Sequence, residues 1–301
     1  MFWLYVALSW AEPPKNKIHT STFGYESILV ESATFDMGTS KGDIDEVPHH
    51  VEITRSFYIG RTEMTVEFWK KVMGTAPWTR AQTDCIKNGL EEMPEHRSPV
   101  YCIDWSDAAY FANILSDWER LEQCYLFEDE TLVYAKGTEC MGYRLPTEAE
   151  WELAALPPPS TEKKIEPNGG NDSQPSNKIG TYSGGDDIRL LGWYQGNSEN
   201  LAQIVGLLKP NERGIHDLSG NLWEWCHDWY GSYEQMNAKD PSGSEHGVYR
   251  VLRGGSFASP PQDTRIRNRF RRYPTFRSHQ IGFRLARTAP PKPKKESIDK
   301  K

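Results

Sequence analysis

The residues best able to hold an ion fall in one run, 214–225, of a 301-residue chain. Asp217 and Glu224 supply carboxylates there, and Gly220 can take the left-handed backbone of a tight turn. The carbonyls of Gly220 and Leu222 are free to point inward. Hard oxygen ligands in this mixture suit calcium. The plainer alternative is that Asp217 and Glu224 only cap the turn, because carboxylates alone do not identify a metal.

Thiols come second. Of five cysteines, Cys124 and Cys140 flank a strand-turn-strand pattern, so a hairpin would bring them together as a disulfide. Cys85 and Cys102 are a second candidate pair, which leaves Cys226 as the odd thiol, in a context that suits a buried small hydrophobe. No C-x2-C and no H-x3-H occurs, so a zinc finger or a histidine-bundle iron site has little support. His49 and His50 are adjacent and would point to opposite faces of a strand; His216 and His227 read best as partly buried structural residues. Six arginines between Arg265 and Arg277, interleaved with Phe270, Tyr273 and Phe276, suit either a carboxylate-binding cleft or a set of ion pairs, and ion pairs are the reading favoured. No Ser-His-Asp order, P-loop or paired-carboxylate motif stands out.

Short elements must position these groups. Alternation marks strands at 27–32, 34–38, 50–53 and 57–60. Val66, Trp69 and Val72 have helical spacing, with Gly74 as a stop. A second helix starts near Ser106 and carries Ala108, Phe111, Ala112 and Leu115 on one face. Thr147-x-x-Glu150 is a capping box that opens a third before Trp151. The 24 Gly and 20 Pro predict many turns, and 11 Trp argue for a packed globular domain over a disordered chain. With 35 Lys+Arg against 42 Asp+Glu the net charge is -7, which argues against an electrostatic nucleic-acid binder. The apolar run 2–11 has the length of a signal h-region, although no Lys or Arg precedes it; export to the periplasm or outside the cell is the expectation, and an N-terminal strand the alternative. No stretch is long and apolar enough for a transmembrane segment. The expected organisation is a signal-like extension at 1–26, one domain at 27–287 with an exposed loop at 157–187, and a disordered tail at 288–301.

Four stretches together resemble the sulfatase-modifying-factor family, to which the formylglycine-generating enzyme belongs. They are Phe35-x-Met37-Gly38 with Phe57-Tyr58-Ile59-Gly60-x-x-Glu63-Met64-Thr65; Tyr143-Arg144-Leu145-Pro146-Thr147-Glu148-Ala149-Glu150-Trp151-Glu152; Gly214 through Trp225; and Arg253-Gly254-Gly255-Ser256-Phe257 with Gly282-Phe283-Arg284. The resemblance implies an α+β fold: one loop-rich, C-type-lectin-like domain with short twisted sheets and a few helices. It also implies a structural calcium with Asp217, Gly220, Leu222 and Glu224 on its ligand positions, the glycine and leucine through backbone oxygens, and a second calcium loop near 193–197.

The chain departs from the oxidase members where they carry Gly-Gly-Ser-aromatic-x-Cys-x4-Cys, whose thiolates bind copper. Ser259 and Thr264 occupy the two thiol positions. A neutral hydroxyl is a hard ligand without redox chemistry, whereas Cu(I) requires soft thiolates, so copper and formylglycine-generating activity are not expected. The reading is a non-catalytic binding or scaffold module for a protein, peptide or glycan. The alternative is a diverged metal-dependent oxidoreductase using the same cleft.

Overall fold

Alternating burial builds some of the strands, as in His49–Ile53, where His49, Val51 and Ile53 face inward and His50 and Glu52 outward, while Trp223–Trp229 and Arg250–Arg253 are buried almost throughout. A computed structural model describes residues 17–77, 85, 97–128, 131–159, 179–233 and 237–291, with the side chains of 131–134 and 237 left out. The signal-like run 2–11 and most of the expected loop and tail lie outside the described residues.

The strands, in chain order, are β1 (Ile18–Thr20), β2 (Glu26–Val30), β3 (Ala33–Met37), β4 (His49–Ile53), β5 (Phe57–Gly60), β6 (Tyr125–Glu128), β7 (Thr131–Ala135), β8 (Tyr143–Arg144), β9 (Trp223–Trp229), β10 (Asn237–Lys239), β11 (Arg250–Arg253), β12 (Phe270–Arg272), β13 (Ile281–Gly282) and β14 (Ala286–Thr288). They form four small sheets: β1-β2-β5-β14-β8, β10-β4-β3, β12-β11-β9-β13 and the hairpin β6-β7. The helices are α1 (Val66–Met73), α2 (Trp105–Trp118), α3 (Glu148–Ala155) and the single turn α4 (Ile188–Leu191). This is the expected α+β architecture, with few helices and short sheets.

Local chemistry sets the helix ends. Thr65 accepts the Phe68 N–H to start α1, and Gly74 ends it at φ 64 with its N–H on the Lys70 carbonyl. Thr147 and Glu150 form both bonds of the capping box of α3. One core packs α1 and α2 through Trp69, Trp105, Phe111 and Phe283; a second joins β2 to β5, α3 and β11 through Ile28, Phe57, Trp151 and Val251. The hairpin brings Cys124 and Cys140 into a disulfide with Cα atoms 5.6 Å apart, and Cys85 is bonded to Cys102 at 5.5 Å. Cys226 is a buried free thiol, which burial and the Asp228 carboxylate push well above the usual thiol range. It packs as a small apolar residue.

Three expected boundaries shift. Residues 18–20 pair with β2, so the sheet begins inside the segment expected to be an extension. Thr288, expected in the tail, is buried and accepts from Arg144 Nη2 at 3.1 Å. Ser183, expected in an exposed loop, is buried because its hydroxyl donates to the Ala155 carbonyl at 3.0 Å and its N–H to Ser219 Oγ at 3.1 Å.

Candidate functional site

The turn before β9 is held by backbone that few residues adopt: Asp217 (φ 60), Gly220 (φ 91) and Asn221 (φ 59) are all left-handed. A Cβ on Gly220 would lie 2.0 Å from the Trp193 carbonyl oxygen, so only glycine fits. The Asn221 N–H donates to that same carbonyl at 2.8 Å, which joins the turn to the loop at 193–197.

The four calcium-candidate residues divide. Glu224 accepts from Arg284 at 2.7 and 2.6 Å and from Trp151 Nε1 at 2.8 Å. A cation there would meet a buried guanidinium, so Glu224 does not fit as a ligand in this arrangement. Asp217 behaves differently. Its Oδ2 accepts the Gly206 N–H at 2.7 Å, while Oδ1 is buried with no hydrogen-bond partner. Burial raises the Asp217 carboxyl above its usual range. Beside it lies Glu63, raised well above its usual range by burial and by the Asp217 and Glu224 carboxylates; it accepts from Asn221 Nδ2 at 2.7 Å and Leu222 N at 2.9 Å. An orphaned buried oxygen among surplus negative charge fits a hard cation on the Asp217 side. Among the described residues, no group of three or more His, Cys, Asp or Glu side chains is arranged to hold a metal, so backbone oxygens would have to complete such a site. Glu63 was not among the sequence candidates, although it stands in the second quoted motif segment.

Two hydrogen bonds tie this turn to the segment where the oxidases carry thiols. Gly220 N donates to the Gly254 carbonyl, and Phe257 N to the Asn221 carbonyl, both at 2.7 Å. Ser259 accepts from Ser256 N at 3.0 Å and lies 3.2 Å from Ser256 Oγ, which also bonds Gln280. It lines a cleft of about 420 Å³ with Trp223, Asp263, Phe270, Arg272 and His279. Thr264 is fully buried, and its hydroxyl donates to the Pro261 carbonyl at 2.9 Å. Its methyl packs against Gly255, where a Cβ would lie 2.6 Å away. One candidate position therefore faces the cleft, while the other is a hydrogen-bonded part of its support. Trp223 stacks on Phe270 at 4.9 Å, and the Arg272 guanidinium lies 4.2 Å from the Phe270 ring centre. The cleft thus offers aromatic faces and one cation.

Most of the arginine run serves ion pairs. Arg269 forks onto Glu148 at 2.7 and 2.8 Å, Arg267 bonds Glu152, Arg265 bonds Glu46 at 2.8 and 2.9 Å, and Arg277 bonds Asp104 and Asp107. Only Arg272 of the six lines the cleft. The histidines do not gather: His216 Nδ1 faces the Leu208 carbonyl, and His227 Nδ1 lies 3.4 Å from Tyr125 Oη.

Residues 14–289 match the model of the sulfatase-modifying factor enzyme 1-like domain, and the chain belongs to that family. A serine/threonine-protein kinase pkn1 of Chlamydia pneumoniae is 27% identical over 94% of this chain, which spans 40% of that protein. The chaperone protein LppX of Paenibacillus barcinonensis is 30% identical over 79% of this chain and 81% of its own length. The formylglycine-generating enzyme of Streptomyces coelicolor is 29% identical over 74% of this chain and 61% of its own. Among solved structures, Treponema denticola variable protein 1 superposes with a TM-score of 0.73 at 28% identity, covering 91% of this chain and 99% of that one. PvdO from Pseudomonas aeruginosa shares the fold at a TM-score of 0.65 and 23% identity, over 90% and 98%.

Proposed function

We propose that this domain is a binding or scaffold module that presents the cleft at Ser259 to a protein, peptide or glycan, without copper-thiolate oxidase chemistry. The observation that carries this reading is the state of the two thiol positions: Ser259 is a hydroxyl bonded to Ser256, and Thr264 is a buried hydroxyl that donates to a backbone carbonyl. Neither supplies a soft, ionised sulfur. The stacked Trp223–Phe270 pair and Arg272 supply contacts typical of recognition. The relative named a chaperone supports a role in binding, since the match covers most of both chains.

Two disulfides among the described residues support export to an oxidising compartment, the periplasm or the cell exterior. A structural calcium is proposed on the Asp217 side of the turn, with the backbone oxygens of Gly220 and Leu222 as its other ligands, while Glu224 anchors Arg284.

Copper(I) titration followed by oxygen-electrode assay on thiol peptides tests the reading. Wild type is expected to bind no stoichiometric copper and to consume no oxygen above the buffer control. The double variant Ser259→Cys/Thr264→Cys is expected to bind copper. Oxygen consumption by wild type that depends on a metal would overturn the proposal in favour of a diverged oxidoreductase.

A further inference from the structure

A second cavity, of about 200 Å³, opens at the other end of β9 from the cleft and is lined by Asp228, Trp229, Glu148, His49, Tyr233 and Lys239. Asp228 is buried. Its Oδ2 accepts the Glu148 N–H at the start of α3, at 2.8 Å, and among the described residues Oδ1 receives no hydrogen bond. Glu148, next to it, is fully engaged: Oε1 accepts from Arg269 at 2.7 Å and Tyr233 at 3.2 Å, and Oε2 from Arg269 at 2.8 Å. The charge of Arg269 is therefore already balanced. The His49 ring lies tilted against Tyr233, centre to centre 4.1 Å, and sets Nδ1 3.0 Å from the Val47 carbonyl. A carbonyl only accepts, so Nδ1 carries a proton there. The cavity wall thus has one acid with a free oxygen and no ion pair: Arg250, whose charge reaches Asp228, spends Nη1 on the His227 carbonyl and lies between the Trp105 and Trp229 rings.

We infer that this cavity binds a small ligand through a protonated primary amine, with Asp228 Oδ1 as the acceptor. An ammonium brings three donors, one for the free Oδ1, and a positive charge to pair with the carboxylate it forms. Burial and the nearby Glu148 carboxylate push Asp228 up to about 8 against the pull of Arg250, so the empty cavity holds the acid protonated at neutral pH, and an ammonium that binds displaces that proton to solvent. Three effects oppose the binding, the first being the buried Arg250 guanidinium, whose charge already reaches Asp228 but whose Nη1 is held on the His227 carbonyl. The start of α3 disfavours positive charge, but that effect is screened and fades within the first turn, and a charge-assisted hydrogen bond to a buried carboxylate outweighs it. Lys239 is exposed, so solvent and salt screen its repulsion. The neutral neighbours favour an organic amine over a bare metal ion: Trp229, Tyr233 and Ala149 offer carbon surface to an alkyl stem.

Calorimetric titration of the full chain with n-butylammonium, n-butanol and butyrate tests the inference. Butylammonium is expected to bind one per chain, at least tenfold more tightly than butanol, with no detectable binding of butyrate. Asp228→Asn keeps an acceptor for the Glu148 N–H and is expected to weaken butylammonium at least tenfold. Ser242→Trp, at an exposed position of the lining, blocks the mouth and is expected to lower affinity without moving the melting temperature; it keeps the test open should Asp228→Asn fail to fold. Nα-acetyl-lysine methylamide, run alongside, separates a lysine side chain from a free amine as the source. Equal affinity for butanol and butylammonium, or undiminished binding in a folded Asp228→Asn or in Ser242→Trp, would overturn the inference.

Discussion

Helix α3 and strand β9 both bury acids, and they treat them differently. On α3, Glu148, Glu150 and Glu152 are almost wholly buried, yet each meets an arginine: Arg269, Arg144 and Arg253. Although burial opposes it, Arg269 and Arg253 hold the Glu148 carboxyl below its usual range. At and just before β9, Glu224 has Arg284, but Asp217 and Asp228 each have one backbone N–H on one oxygen and no arginine fork. Desolvating a carboxylate is costly, and only close, well-formed pairing offsets it. The paired acids therefore read as framework, and the two unpaired ones are where calcium and an ammonium are proposed to bind.

The largest test breaks a framework pair. Glu152→Ala would take from the fully buried Arg253 guanidinium its hydrogen-bonded carboxylate, leaving it only Glu148 at 3.4 Å, and would take away an acceptor from Arg267 and Gly38. A loss of about 3–5 kcal/mol of stability is expected from breaking such a pair, read by urea unfolding; a loss under about 1 kcal/mol would mean α3 is not the electrostatic centre of the fold.

At Asp217 the effect depends on calcium. Millimolar calcium is expected to raise the melting temperature of wild type, by the equivalent of about 2.7 kcal/mol at a hundredfold excess over Kd, and to leave Asp217→Asn unmoved. A variant that still responds to calcium would remove Asp217 from the site.

Strand β9 also predicts opposite pH slopes from adjacent residues. Asp228 is raised to about 8 and His227, by burial and the Arg250 and Arg144 charges, lowered to about 3. The raised acid holds its proton in the fold, so its contribution is present at low pH and lost as pH climbs through about 8. The depressed histidine is folded neutral, so its contribution is present above 6.5 and lost as pH falls toward about 3. Each slope approaches about 1.4 kcal/mol per pH unit. Thermal melts from pH 5 to 8 should show Asp228→Asn and His227→Gln tilting the wild-type profile in opposite senses. Parallel profiles for the two variants would contradict the assignment. The smallest effect belongs to the surface: Arg189→Ala, which removes a solvent-exposed pair with Asp187, is expected to leave the melting temperature unchanged.

The elements were legible where their signals are local. Gly74, Thr147 and Glu150 act within one helical turn of their targets, and the hairpin that joins Cys124 to Cys140 is a contiguous stretch. The family motifs were also legible as strings, but their physical role was not. Glu148 meets Arg269 across 121 residues and Glu152 meets Arg253 across 101, separations at which no periodicity links the partners. For the same reason Glu224 read as a calcium ligand: its arginine lies 60 residues on, at Gly282-Phe283-Arg284. The exposed-loop reading of 183 failed because composition reports turns and not burial; Ser183 is a small polar residue whose bonds lie inside the fold.

The five-stranded sheet gives the two chain ends unequal mechanical standing. Ile18, Ile28, Ile59 and Ala286 lie in one cross-sheet row, so β1 and β14 are three strand spacings apart, roughly 14 Å. Successive antiparallel pairings make β1 run opposite to β14, so chain enters and leaves at the same end of the sheet. Tension from the N-terminal side would peel β1, an edge strand of three residues held along one side. Tension from the C-terminal side would have to shear β14 from both β5 and β8. As a tether to anything larger, the C-terminal side is the stronger handle.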